Sequence, residues 1–316
     1  MLGRGGTSVL FEGTDTVTGQ LVAIKVLSLA TVGEWKTLEL FERGTQIVQG
    51  LTHDGLPKIL GFTRDEGGRM YQIRELFNGG TLESRVREGA HFDRREVHGL
   101  LKSLLEVVDY LQRRTPPVLH RDIKPSNVIF RKPSDVAPVL VDFDSAAVAR
   151  DQVTQTTIVV SPGYTAPEQL MGDAGPASDL FSVGMTVLFA MSREPPSRIE
   201  RKQGRLAVSH LLSTLEPATA HVLGGLIEPD PSRRYANARD ALNDLRGLQR
   251  LPKRGSQVPE QPFWNRALEF RGVSLFRIII GTLLGVLVGY IVLVRWTEQQ
   301  RADAASVRGL AEDSRR

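Results

Sequence analysis

The chain has 316 residues, 41% of them hydrophobic and 24% charged, with a formal net charge of +4 and no cysteine. That length and apolar share suffice for one large globular domain or two smaller ones. The modest charge, with no long block of one sign, makes no demand for a nucleic-acid partner, and the missing thiols exclude disulfides, thiolate metal sites and cysteine nucleophiles.

The opening MLGRGGTSVL carries no apolar run of the signal-peptide kind and passes at once into glycines, so the first strand is expected to be short. Gly3, Gly5, Gly6 and Ser8 form a loop of small residues whose backbone N–H groups can approach a polyphosphate without obstruction from Cβ atoms. Val9–Glu12 and Leu21–Leu27 are strand-like and joined by the turn-rich DTVTG. In the second, alternation buries Val22 and Ile24 and turns Lys25 the other way, where a cation on a half-buried strand needs an anion. Trp35–Leu51 has helical spacing, and Ile59–Leu76 reads as a second hairpin through Gly67 and Gly68. From Asp93 onward helices dominate: HGLLKSLLEVVDYLQRR sets Leu100, Leu101, Leu104, Leu105, Val108 and Leu111 on one apolar face. Strands first and helices after predict an α+β fold of two lobes, residues 1–78 and 79–250.

Beyond this body, 251–272 reads as a linker rich in proline, glycine and charge. Ile278–Val294 then runs without a charge between Arg277 and Arg295, which predicts a transmembrane helix over 275–296 and a short extracytoplasmic tail over 297–316. The expectation is a tail too short for a folded sensor domain. Gly281, Gly285 and Gly289 recur every four residues in the span, a spacing that suits close approach of two helices in a homodimer.

The segment richest in chemistry is VLHRDIKPSNVIF. Pro125 breaks the chain into a loop, so Asp122 and Asn127 can face one cavity. The carboxylate can accept a hydroxyl proton while the amide oxygen helps hold a metal. Downstream, Asp142 follows the strand Val139–Val141 and supplies a hard oxygen ligand suited to Mg²⁺.

With these residues in this order, the body resembles the eukaryotic-like Ser/Thr protein kinases of bacteria, over residues 2 to about 248. HRDIKPSN is similar to their catalytic loop, VDFD to their metal-binding triad, and APEQ to the end of their activation segment. SDLFSVG looks like the start of the central large-lobe helix, with Asp179 in a structural role, and DPSRRY like their late arginine motif.

The resemblance implies ATP as substrate with Mg²⁺, or alternatively Mn²⁺, and protein hydroxyls as acceptors. Lys25 would hold the α- and β-phosphates, and Asp122 would orient and deprotonate the acceptor. Lys124 marks serine/threonine specificity, and Asn127 and Asp142 would bind metal. The backbone of Glu75 to Phe77 would pair with adenine under Ala23. Glu168 and Arg234 would form a structural ion pair.

Four positions depart from the family's pattern. Ser8 stands for the third glycine, and Arg74 for an apolar residue before the hinge. The helix glutamate that should pair with Lys25 falls at Gly44, so that either the helix shifts to offer Glu42 or Glu39, or Lys25 works without its partner and turnover is slow. Asp144 replaces a glycine, and the expectation is that its carboxylate caps a local turn rather than adding charge near the metals.

Thr154, Thr156 and Thr157 are candidate autophosphorylation sites, with Arg121 as the cation that would receive a phosphothreonine. The expectation is a single-pass protein of the cell membrane with its kinase domain in the cytoplasm. The alternatives are a pseudokinase of the same fold and a non-catalytic membrane receptor.

Overall fold

The turn DTVTG closes on its own first residue: the Asp15 carboxylate accepts from the backbone N–H groups of Val17 and Thr18, and Gly19 takes φ +71°. It joins β2 (Ser8–Thr14) to β3 (Leu21–Leu27), with the two-residue β1 (Gly3–Arg4) on the outer edge of β2. After α1 (Trp35–Gln49), a second hairpin pairs β4 (Ile59–Arg64) with β5 (Met70–Glu75), turning at Gly68 with φ +78°. The result is a five-stranded antiparallel sheet in the order β1-β2-β3-β5-β4. In its centre Lys25 lies between Leu10 of β2 and Gln72 of β5. A computed structural model of the chain describes residues 1–4, 8–27, 35–148, 160–202 and 205–247.

Helix α1 seats Leu38 and Phe41 on the sheet against Leu27, Met70 and Phe62, while Val48, farther along, joins the core of the second lobe. It ends at Gln49, two residues short of the expected Leu51. The N–H groups of Gly50 and Leu51 turn to the carbonyls of Ile47 and Val48, a tightening common at helix ends.

The second lobe is helical. A short α2 (Leu82–Arg87) is capped reciprocally by Thr81 and Ser84, and α3 (Arg94–Gln112) by Asp93 and Glu96. The six residues assigned to the apolar face of α3 are all buried. Two small ladders, β6 (Val118–Leu119) with β9 (Ala147–Val148) and β7 (Val128–Phe130) with β8 (Pro138–Leu140), hold the loops between them. Then follow α4 (Pro167–Leu170), α5 (Pro176–Ser192), a hairpin of β10 (Arg201–Lys202) and β11 (Arg205–Leu206), α6 (Ser209–Leu212), α7 (Pro217–Leu226) and α8 (Ala238–Leu245). Helix α5 is apolar nearly all round and buried from Ser178 to Ala190, as a helix through the middle of a lobe must be.

These residues lie in the first of two units of the chain, Met1–Pro252. The linker, the apolar run Ile278–Val294 with its three glycines, the tail, and Gly5, Gly6, Thr154, Thr156 and Thr157 all lie outside the described residues. Among the described residues, no helix is long and apolar enough to cross a membrane.

Candidate active site

The catalytic loop is positioned from below by α5. Both oxygens of Asp179 accept backbone hydrogen bonds, from the N–H of His120 at 2.8 Å and of Arg121 at 2.8 Å. Burial raises the pKa of this carboxyl, although His120 and the two amides oppose the shift. Arg121 turns through φ +67°, and its carbonyl accepts from the side chain of Gln169 in α4. His120 is fully enclosed; burial lowers its pKa, its ring meets Phe143 edge-on, and Nε2 lies 3.2 Å from the carbonyl of Val141. One imidazole thereby ties the catalytic loop to the loop of Asp142.

The Pro125–Asn127 turn brings Asp122 and Asn127 together. Asn127 Nδ2 donates to the Asp122 carbonyl at 2.8 Å and to its Oδ2 at 3.1 Å. Lys124 Nζ donates to the same oxygen at 2.8 Å, and Ser161 Oγ donates to Oδ1 at 2.7 Å. Lys124 also reaches Ser161 Oγ at 3.1 Å. The Asp122 carboxylate is therefore held by three side chains, its direction fixed where an acceptor hydroxyl could approach. Ser161 is a site residue that sequence reasoning misses; its only signal there is its place shortly before APEQ.

Across the cleft, Lys25 Nζ stands 2.7 Å from Asp142 Oδ1 and 2.7 Å from Asp144 Oδ2, with Phe41 of α1 facing it at 5.5 Å. Burial alone would lower the pKa of the ammonium, but the two carboxylates outweigh it and raise it. Asp142 shows the converse: desolvation pushes up and the Lys25 charge pulls down, leaving it well below the usual carboxylate range. Asp144 is pushed up to about 6 by burial and by Asp142 beside it, against the pull of Lys25.

The expectation of a turn-capping Asp144 is thus corrected: its carboxylate goes to Lys25, while the local turn is closed by the Ala146 N–H on the Phe143 carbonyl. Of the two alternatives expected at Gly44, the helix does not offer a glutamate: Glu39 is exposed and Glu42 accepts from Gln46 at 3.3 Å. Lys25 stands without a helix partner and takes the loop carboxylates of Asp142 and Asp144.

At the hinge, Ala23 is buried at the centre of β3, and Phe77 packs with Val139 and Val141. The Glu75 side chain is fixed by Arg131 at 2.6 Å and by the N–H of Lys58. Arg74, just before it, is buried, its guanidinium 5.6 Å from the ring of Phe77. Burial lowers its pKa despite the attraction of Asp142 and Glu75. Gly3 pairs with Leu10 in β1, and Ser8 opens β2 opposite Leu27. Far below the cleft, Arg234 Nη1 donates to Glu168 Oε1 at 2.6 Å, both side chains being almost wholly inaccessible.

Asp142 and Asn127 offer one carboxylate and one amide as oxygen donors. Asp142, at φ +70°, presents its side chain at the cleft with 37% of it exposed, and Asn127, which donates through Nδ2, keeps its amide oxygen as an acceptor. Among the described residues, no cluster of three or more His, Cys, Asp or Glu side chains could cage an ion unaided. This sparse, hard donor set fits Mg²⁺, which keeps waters and shares phosphate oxygens with its ligand.

A sheet carrying an anchored lysine, set over a loop with an oriented aspartate and two oxygen ligands, defines a two-lobed phosphoryl-transfer fold. The protein kinase domain family matches residues 1–244. Serine/threonine-protein kinase D of Synechocystis is 29% identical over 78% of this chain and 51% of its own length. Serine/threonine-protein kinase PknA of Nostoc is 28% identical over 66% of this chain and 38% of its own. Calcium/calmodulin-dependent protein kinase type IV of the mouse is 31% identical over 63% and 41%. The chain spans about half or less of the length of these curated relatives. It belongs to the protein kinase domain family, whose members use ATP and Mg²⁺.

Proposed function

We propose that the chain is an active serine/threonine protein kinase that transfers the γ-phosphate of ATP to protein hydroxyls. The observation that carries this reading is the Asp122 carboxylate, held by Lys124, Asn127 and Ser161 and aimed into the cleft opposite Lys25. In this reading Asp122 orients the acceptor hydroxyl and takes its proton as the oxygen attacks, while Lys124 steadies the charge on the transferring group. Lys25 binds the α- and β-phosphates, the glycine loop covers them, and adenine lies between Ala23 and the hinge. Asp142 and Asn127 would hold Mg²⁺, which would supply neutralisation of phosphate charge. The pseudokinase alternative loses its main motive, because Lys25 is paired and no group the chemistry requires is missing.

Autophosphorylation of Thr154, Thr156 or Thr157 belongs to the same proposal. Burial lowers the pKa of Arg121, the Asp179 carboxylate opposes this and Arg43 of α1 adds a smaller repulsion, while Arg121 Nε is buried without a hydrogen-bond partner among the described residues. Such a cationic corner suits a phosphothreonine. Anchoring through Ile278–Val294, a cytoplasmic kinase domain and pairing through Gly281, Gly285 and Gly289 rest on the apolar run and its glycine spacing.

The test is transfer of labelled γ-phosphate to a generic protein substrate by the full-length chain in detergent micelles, with Asp122→Ala as control. Phosphopeptide mapping of the same reaction locates any modified threonine. Equal incorporation by both proteins would sink the enzyme reading.

A further inference from the structure

A carboxylate from α1 at position 44 would be the expected partner of Lys25, and that position is glycine. A Cβ there would lie 2.3 Å from the carbonyl oxygen of Phe143, 2.7 Å from its carbonyl carbon and 3.0 Å from the Cα of Asp144. The helix thus lies directly on the backbone of the loop that follows Asp142. The same loop supplies a carboxylate, Asp144 Oδ2, to Lys25 at 2.7 Å. The space taken from residue 44 and the charge provided by residue 144 are one rearrangement.

A second observation concerns what ties the helix to the sheet. Gln72, the β5 neighbour of Lys25, donates through Nε2 to Thr45 Oγ1 at 2.7 Å, and Thr45, the residue after Gly44, is fully buried. The Thr45 hydroxyl in turn donates a hydrogen bond to the carbonyl of Phe41. A neutral hydrogen bond thus joins α1 to the sheet where an ion pair would otherwise do so.

We propose that the two tasks of a single lysine–glutamate pair are divided in this protein. Asp144 is the positioning residue that orients Lys25 toward the phosphates of ATP, and the Gln72–Thr45 hydrogen bond holds α1 on the sheet. This rests on the kinase reading for the identity of the ligand. Asp142 also touches Lys25, but it has a second duty as a cation ligand; Asp144 stands beside it and reaches Lys25 through Oδ2. Because both carboxylates sit on one short loop, movement of 142–144 releases Lys25 and the cation ligand together, while rotation of α1 need not.

The experiment measures kcat and KM for ATP, and separately the Kd of Mg²⁺ with a non-hydrolysable ATP analogue by calorimetry, on the full-length chain. Asp144→Asn, nearly isosteric, is expected to raise KM and Kd roughly fivefold to tenfold and to lower kcat about tenfold. Glu39→Gln and Glu42→Gln should stay within about twofold of wild type, a range below any loss of a charged contact. Asp144→Glu against Asp144→Asn separates charge from shape, the acid being the better of the two. Asp144→Asn indistinguishable from wild type in KM, kcat and Kd would overturn the proposal. A wild-type chain that binds the analogue but transfers no phosphate defeats the kinase reading alone, and the Kd comparison then decides on Asp144. A wild-type chain that does neither overturns both.

Discussion

Gly44 of α1 rests on the carbonyl of Phe143, so closely that a Cβ would fall 2.3 Å from its oxygen. In an exposed helix, Gly→Ala gains about 1 kcal/mol from backbone entropy. Here the sign should reverse. Gly44→Ala is expected to lower the urea midpoint and weaken ATP binding, because either α1 or the 142–144 loop must move. An unchanged or raised midpoint would show that the contact yields without cost.

Ser161 donates to the one carboxylate that must face the acceptor hydroxyl. A hydrogen bond to a charged group contributes about 1.5–3 kcal/mol, so Ser161→Ala is expected to reduce kcat by roughly ten- to a hundredfold. KM for ATP should change little, since Ser161 lies on the acceptor side. Ser161→Thr keeps the hydroxyl and should keep most of the rate, and steady-state kinetics on the three proteins check this.

Arg234 and Glu168 form an ion pair with side-chain exposures of 0% and 9%. The guanidinium also serves the carbonyls of Glu228, Ala177 and Pro229. Arg234→Ala leaves a buried, uncompensated carboxylate and is expected to cost about 3–5 kcal/mol. Chemical denaturation measures it; a loss under about 1 kcal/mol would mean that water or a shifted side chain takes over the pairing.

Arg74 is the opposite case. Its Nη1 is buried without a hydrogen-bond partner among the described residues. Replacing a buried, partly unsatisfied cation by an apolar side chain of similar length is often neutral or stabilising. Arg74→Met should therefore hold or raise the denaturant midpoint. A fall of more than about 1 kcal/mol would assign the attraction between Arg74 and Asp142 a larger share of stability than its desolvation cost.

The elements readable from sequence are those whose cause is local. The DTVTG turn closes on Asp15, α3 shows its buried face through the spacing of its leucines, and Pro125 bends a short loop so that Asp122 meets Asn127. Neighbours along the chain settle each of these, so patterns of a few residues carry them. The pairings that decide how the site works join residues far apart: Lys25 with Asp144 across 119 positions, and Asp122 with Ser161 across 39. In sequence, Gly44 and Asp144 stand as two separate defects. Only in the folded protein do they become one feature, because the helix surface that lost its side chain is the surface on which the Asp144 loop packs. A buried ammonium takes whichever carboxylate the packing brings within reach, and packing is a property of the whole fold.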